Sequence, residues 1–438
     1  MNDLHGVPVS AAKPSSLEIY ETALNAFNCY RGDPVEIIDK ALADDPGFVM
    51  GHIFRAHIHV SLWERSVLSE LNTILAILDG LSGAANDRER AHVAALQRWA
   101  SGDWNGMRAA LDRLLADHPR DLLALQMGHL LDFYHGDREN LRGRIARALP
   151  HWNQDDKGYG FILGMQAFGL EECGAYGEAE ETGRHAFAIE PDDCWAQHAV
   201  AHVMEMQARQ DEAIAFMAAR EHHWAQDDNA FAFHNWWHTA LFHLDQDRPD
   251  RALQIHDQGV RAEPAPIQLM MLDAAALLWR LHLRGIDVGT RWDELATAYE
   301  EADEAGFYAF NDMHAMMAYV ATGRAAAAAA LLKIVEAAAD QAGTNGIMTR
   351  EVGLPIVRGI EAFGREAYGE AVDTLMPVRY RAHIFGGSHA QRDIVHRTLI
   401  EAALRSPDKA LAIALTNERT SLKPHCPFSL QLKQRATQ

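Results

Sequence analysis

The sequence predicts an all-α fold, a right-handed α-solenoid of degenerate tetratricopeptide-like repeats with a helical C-terminal cap. Three observations carry this. Apolar residues recur at helical spacing, as in "ALDRLLADHPRDLLALQMGHLLDFY", and runs of alternating β-branched residues are absent. Three stretches share one spacing from turn residue to closing proline: "GDWNGMRAALDRLLADHP" (Gly102 to Pro119), "GAYGEAEETGRHAFAIEP" (Gly174 to Pro191) and "DRPDRALQIHDQGVRAEP" (Asp247 to Pro264). Gly102 and Gly136 stand 34 residues apart, one tetratricopeptide period.

The elements follow in order. Residues 1–20 are expected as an N-terminal arm and 21–340 as helical repeats. Within a repeat, a tight turn leads into helix B, a small residue such as Ala179 lets helix A approach, and proline ends the unit. Shorter versions run from Gly32 to Pro46 and from Gly136 to Pro150, and later ones are "TGRAAAAAALL" and "REAYGEAVDTLMP". "QAGTNGIMTREVGLP" (341–355) is expected as a loop between packed helices, and 341–438 as C-terminal helices capping the array. No segment is rich enough in glycine or serine to act as a linker, so residues 1–438 are expected to form one domain. A single repeat cannot bury its apolar face; stacking buries it and leaves a concave surface lined by the A helices.

Composition narrows the function classes. Sixty-one acidic against 40 basic residues give a formal charge of −21, which disfavours nucleic acid and anionic membranes as partners. The four cysteines (Cys29, Cys173, Cys194, Cys426) form no CxxC pair, which points to a reducing compartment rather than a disulfide framework. "MNDLHGVPVSAAKPSSLEIY" has no charged-then-apolar signal pattern and no apolar run is long enough to span a bilayer, so a cytoplasmic location is expected. Nothing here decides oligomeric state, which leaves room for a homo-oligomer. The chain lacks GxxxxGK[ST], GxGxxG and GxSxG, which removes common nucleotide-dependent enzymes and α/β-hydrolases.

Histidine is the outlier, with 24 residues. Setting Gly174 and Asp247 to repeat position 15 aims positions 2, 5, 9 and 12 of each A helix at the groove. His198, His202 and Glu205 of "HAVAHVMEM" then form one stripe on one face. His234 and His238 of "FHNWWHTALFHLD" fall at positions 2 and 6 of the next A helix, with Trp236 at the packing position, 4. Imidazoles and a carboxylate from adjacent helices make a ligand set for zinc, iron or manganese, with His202, Glu205, His234 and His238 as candidates. The same groups can act as a general acid/base cluster, with Glu205, His202 and His238 as catalytic candidates. The His-Glu-x-x-His helix of metallohydrolases is not matched, because Glu205 follows both histidines.

Other constellations have plainer readings. Asn311, Asp312 and His314 of "FNDMHAMMAYV" read as a helix N-cap slightly more than as a polar triad in the groove. Ser388 and Gln391 of "GGSHAQRDIVH" read as a capping box. The pair Arg379 and Arg381 reads as a solvated helix end, and His129 of "HLLDFYHGD" as structural.

The sequence resembles the tetratricopeptide repeat protein 38 family almost end to end. The resemblance is carried by "HGVPVS", "RERAHVAAL", "HPRDLLALQMGHLLDFY", "AHVMEM", "FHNWWHTAL", "FNDMH", "REVGLP" and "RYRAHIFGGSHAQRD". It implies an α-solenoid of degenerate repeats with no required cofactor established, and it assigns no reaction. The family motifs match at His202, Glu205, His234, Asn235, His238, Asn311, Asp312 and His314; His198 is a less regular part of the pattern.

The expected function is binding of a small molecule or peptide in a histidine-rich concave pocket formed by these residues together with His198. The alternative is a hydrolase-type enzyme acting on a small amide or ester through the His/Glu cluster, by a metal or by general acid/base chemistry. No recognised motif requires a cofactor, and a divalent metal is compatible with the donor set. Few lysines lie on the candidate A helices, and the C-terminal helices can close the groove; both favour a small molecule over a peptide.

Overall fold

The computed structural model of the chain describes residues 1–10 and 13–438. Ala11 and Ala12, part of the stretch expected as an arm, lie outside the described residues. Among the described residues the fold is all-α, with isolated bridges at Asn2–Pro8 and Arg31–Asn229 and no strand. The chain divides into two compact units, residues 1–200 with 222–231, and residues 201–221 with 232–438. The boundaries at 200 and 221 fall inside helices, so no linker composition marks them.

The first unit is a run of helical hairpins: α1 (Pro14–Cys29) with α2 (Pro34–Asp44), α3 (Val49–Ser61) with α4 (Leu68–Gly80), α5 (Asp87–Ala100) with α6 (Trp104–Asp117), α7 (Leu122–Tyr134) with α8 (Arg138–Ala148), and α9 (Tyr159–Glu172) with α10 (Tyr176–Ile189). Helix α1 starts inside the stretch expected as an arm, because Pro14 is preset for a first helical turn. A recurrent turn joins A to B. At Gly102 (φ +80°) the amide donates to the Trp99 carbonyl, and Asp103 N–H reaches back to Arg98, both at 2.9 Å. Gly174 (φ +79°) repeats this with the Glu171 and Leu170 carbonyls. This is Schellman closure, which needs a left-handed residue. Asp33, Asp103 and Asp137, each next after its turn glycine, then cap the B helix.

Packing within the unit is close. A Cβ at Gly169 of α9 would lie 2.6 Å from the Arg142 backbone nitrogen of α8. Ala179, expected as the small residue of its repeat, is fully buried.

The second unit continues the pattern from the end of α11 (Cys194–Met206) and most of α12 (Gln210–Trp224) through α13 (Ala232–Asp245), α14 (Pro249–Ile255), α15 (Gln268–Leu283), α16 (Arg291–Glu301), α17 (Ala309–Ala321) and α18 (Ala325–Ala339). The helices α19 (Thr344–Met348), α20 (Leu354–Gly364), α21 (Tyr368–Leu375), α22 (His389–Arg405), α23 (Lys409–Leu422) and α24 (Pro427–Ala436) complete it. Asp247 (φ +61°) takes the A-to-B turn without glycine.

The last helices fold back on α13 and α15. Trp279 Nε1–H donates to Thr398 Oγ1 at 2.9 Å, Arg397 pairs with Asp245 at 3.1 Å, and the Arg397 guanidinium lies 4.5 Å from the Phe428 ring centroid.

Residues 341–355, expected as a loop, are helical from Thr344 onward. A π turn over Thr349–Gly353 joins α19 to α20. Gly346, Gly353 and Pro355 read as breakers, but burial of Met348, Thr349 and Val352 holds the helix together. Gly353 is there for contact: a Cβ would meet the Ala309 side chain at 2.7 Å.

Candidate functional site

Helix α13 brings the histidine-rich stretch inside. His234, Asn235, Trp237 and His238 are all buried, whereas Trp236 is only partly so. Trp236, expected as the core tryptophan, lies over Gly259, where a Cβ would stand 2.4 Å from its ring. The fully buried residue is Trp237, whose ring stacks on His234 at 5.3 Å. A 100° step per residue is too coarse to tell adjacent positions apart when both sides of the helix are covered.

The histidines are expected to line a concave pocket that the C-terminal helices can close; His202 and His238 are fully buried and His234 is 6% exposed. Helix α11 supplies His202 and Glu205, and α13 supplies His234 and His238. Each of the three histidines offers a ring nitrogen, and the three nitrogens lie within 4.8 Å of one another. The rings of His202 and His238 are 4.4 Å apart and those of His234 and His238 are 4.9 Å apart.

Two carboxylates hold the rings from behind. His238 Nδ1–H donates to Glu205 Oε2 at 3.0 Å, and His234 Nδ1–H donates to Asp273 Oδ2 of α15 at 2.6 Å. A carboxylate only accepts, so these bonds place the proton on Nδ1. Burial, followed by the neighbouring His202 and His234, pushes His238 well below the usual histidine range and keeps it neutral. Lys423, at the end of the α23 segment, approaches Glu205 at 3.9 Å. Asp273 was not among the sequence candidates; its signal was only a lone acid inside the apolar run "LMMLDAAALLW".

Arg280 of α15 was also missed. Its guanidinium is buried, donates to the Ala276 and Ala390 carbonyls at 2.8 and 2.7 Å, and stands 5.3 Å from the Trp237 ring centroid. No carboxylate among the described residues lies within ion-pair distance of it. Burial, then the positive charge of Arg397, brings it down to about 10.

His198 belongs to the first unit, where its ring stacks on Phe168 at 5.4 Å and meets Trp195 and Phe231. Asn311 and Asp312 do not cap α17, whose N-cap is Tyr308; they sit inside its first turn, and Asp312 Oδ1 accepts the Gly306 amide at 2.8 Å. His314 is fully buried, bonded through Nδ1 to the Phe310 carbonyl, and pushed by burial down to about 4. Ser388 and Gln391 form the expected capping box. Arg379 and Arg381 pair with Glu418 and Glu351. His129 is buried and accepts the Trp195 indole N–H at 3.1 Å.

The first unit holds a second buried network that the sequence reading passed over. Asp121 caps α7 and accepts both Arg88 Nε at 2.6 Å and His92 Nε2–H at 2.9 Å. His92 Nδ1 then accepts His57 Nε2–H at 2.9 Å. Arg88 also reaches Asp3 at 3.4 Å and the Pro8 carbonyl at 3.1 Å, tying residues 1–10 to α5. His57, His92 and Asp121 are separated in sequence by about one repeat, which is the signal that could have found them.

No family model matches the chain. Among solved structures it is similar to a human IFIT1 dimer with m7Gppp-AAAA, at 13% identity over 98% of this chain and 95% of that chain, TM-score 0.46. It is also similar to the Cut9–Hcn1 hetero-tetramer of the APC/C, at 12% identity over 99% and 78%, TM-score 0.44. Yeast Tom70 follows at 14% over 97% and 86%, TM-score 0.31. Likeness at this level says nothing of ligand or partner. The turns and helical hairpins described above make the fold a tetratricopeptide-like helical repeat. Among the described residues no helix is long and apolar enough to cross a membrane.

Proposed function

We propose that the chain is a tetratricopeptide-like binding protein whose second unit takes a small anionic molecule, a carboxylate in the first instance, at His202, Glu205, His234, His238 and Arg280. The observation that carries this reading is Arg280. A buried guanidinium is costly unless an anion meets it, and this one has only carbonyl partners. The overall charge of −21 makes an interior guanidinium with no carboxylate at ion-pair distance more telling, since carboxylates are abundant elsewhere in the chain. The depth of the cluster supports a small molecule over a peptide, because a peptide groove presents its polar contacts at the surface.

A hydrolase-type reaction on a small amide or ester is the second reading. The His238–Glu205 pair favours it, because an imidazole held by a carboxylate is the arrangement of a general base. The test is thermal denaturation of the purified chain with small carboxylic acids and the matching neutral amides. Acids are expected to stabilise, by about 2.7 kcal/mol at a hundredfold excess over Kd, and amides are not. The response is expected to vanish in Arg280→Met. Equal stabilisation by acids and amides, or a response that survives in Arg280→Met, overturns the reading. Release of amine from an amide that is lost in Glu205→Gln selects the hydrolase.

A further inference from the structure

We infer that His202, His234 and His238 form a three-histidine centre for a divalent metal of the zinc class, with Glu205 and Asp273 as positioning residues rather than ligands. The inference rests on reading this interior as a binding site. Glu205 enters the sequence pattern as a candidate ligand, and the geometry gives it a different place. Its carboxylate holds His238 through Nδ1, as Asp273 holds His234. In metal sites a carboxylate behind an imidazole fixes the ring orientation and raises the basicity of the far nitrogen. Two such pairs converge here with a third histidine, and a ring nitrogen of each lies within 4.8 Å of those of the others. Around a tetrahedral zinc with bonds of about 2.0 Å, ligand nitrogens stand about 3.3 Å apart, so modest ring rotations close the set.

Charge points the same way. Asp273 is fully buried, and its partners are His234 and the Gln391 amide at 3.5 Å; no lysine or arginine among the described residues pairs with it. A cation on the far side of His234 would compensate that carboxylate. The donor set fits the metal: imidazoles suit zinc and cobalt. Arg280 supplies a second positive group in the same interior, so a carboxylate is the ligand class that meets both.

The experiment uses the full chain, stripped with a chelator, dialysed and titrated with Co²⁺ followed by visible absorption, with Zn²⁺ competing. One equivalent of Co²⁺ with the intense visible bands of a tetrahedral site is expected, displaced by Zn²⁺. Glu205→Gln and Asp273→Asn keep their volumes and are expected to weaken Co²⁺ binding by roughly 10- to 100-fold each, with unchanged stoichiometry. His202→Gln, checked for folding by circular dichroism, is expected to lose the bands. Wild-type protein that takes no Co²⁺ overturns the inference whatever the variants do. So does binding that Glu205→Gln and Asp273→Asn leave unaltered, or that His202→Gln retains. Co²⁺ bound without any thermal response to carboxylic acids keeps the centre and removes the carboxylate reading. A carboxylate response in protein that binds no Co²⁺ does the reverse.

Discussion

Two buried arginines should answer the same substitution in opposite ways. Arg280 is brought from 12.5 to about 10, chiefly by burial. One pKa unit is about 1.4 kcal/mol, so carrying this charge costs the fold about 3 kcal/mol. The sign follows from the depressed value. Below pH 10 the folded and unfolded chains both hold the proton, so the penalty is fully present at pH 7. It is relieved only as the pH rises through 10 towards 12.5. Against it stand a charged hydrogen bond to the Ala390 carbonyl, about 1.5 kcal/mol, and the stacking on Trp237, about 0.5–1 kcal/mol. The Ala276 carbonyl lies one turn back on the same helix and adds little. Arg280→Met, similar in length and without charge, is therefore expected to leave the ligand-free protein unchanged or up to about 1 kcal/mol more stable. Arg88 is equally buried but is ion-paired with Asp121 at 2.6 Å and Asp3 at 3.4 Å, and its removal strands two carboxylates. Arg88→Met is expected to cost about 3–5 kcal/mol. Urea denaturation at pH 7, followed by far-UV circular dichroism, reads both. A loss of 2 kcal/mol or more in Arg280→Met would mean that an unrecognised partner compensates Arg280, so that no anionic ligand is needed to meet its charge.

Burial raises Asp193 to about 7, above its ordinary 3.8, even though it accepts the Trp195 and Ala196 amides at 3.0 Å. The folded chain then holds a proton that the unfolded chain has lost. Stability should fall as the pH rises from about 4 through 7, and Asp193→Asn should flatten that slope and stabilise at pH 8 by on the order of 2–4 kcal/mol; a slope that persists in the variant refutes this. Ala179→Leu should destabilise by about 1–3 kcal/mol through overpacking against the neighbouring helix, read by thermal denaturation, and a tolerated leucine would mean the repeat register is misplaced.

Much of the architecture was legible because its signals are local. Gly102, Gly136 and Gly174 mark turns that need a left-handed residue, and the aspartate after each of the first two caps the following helix. Both are properties of a few adjacent residues. The segment at 341–355 misled for the same reason. Its glycines and proline are local breakers, and the burial that overrides them is not local. Asn311 and Asp312 have the residue types of a cap, but the helix begins earlier, at Ala309 after Tyr308.

The candidate site divides along the same line. Helical periodicity alone placed His202 with Glu205 and His234 with His238 on their helices, because side chains three and four residues apart share a face. The sequence also determined the repeat architecture, since each hairpin is written within about 34 residues. Tertiary structure decided the rest. It chose Trp237 over Trp236 for the interior, put His198 against Phe168, and brought Asp273 behind His234 across 39 residues. It also decided how deeply the histidines are buried. Periodicity reports which side of a helix an atom occupies, whereas depth depends on what the remainder of the chain lays over that side. Here Asp273 and Arg280 of α15 and Lys423 near the C-terminus reach α11 and α13 from distant parts of the chain, and no short window of sequence records that.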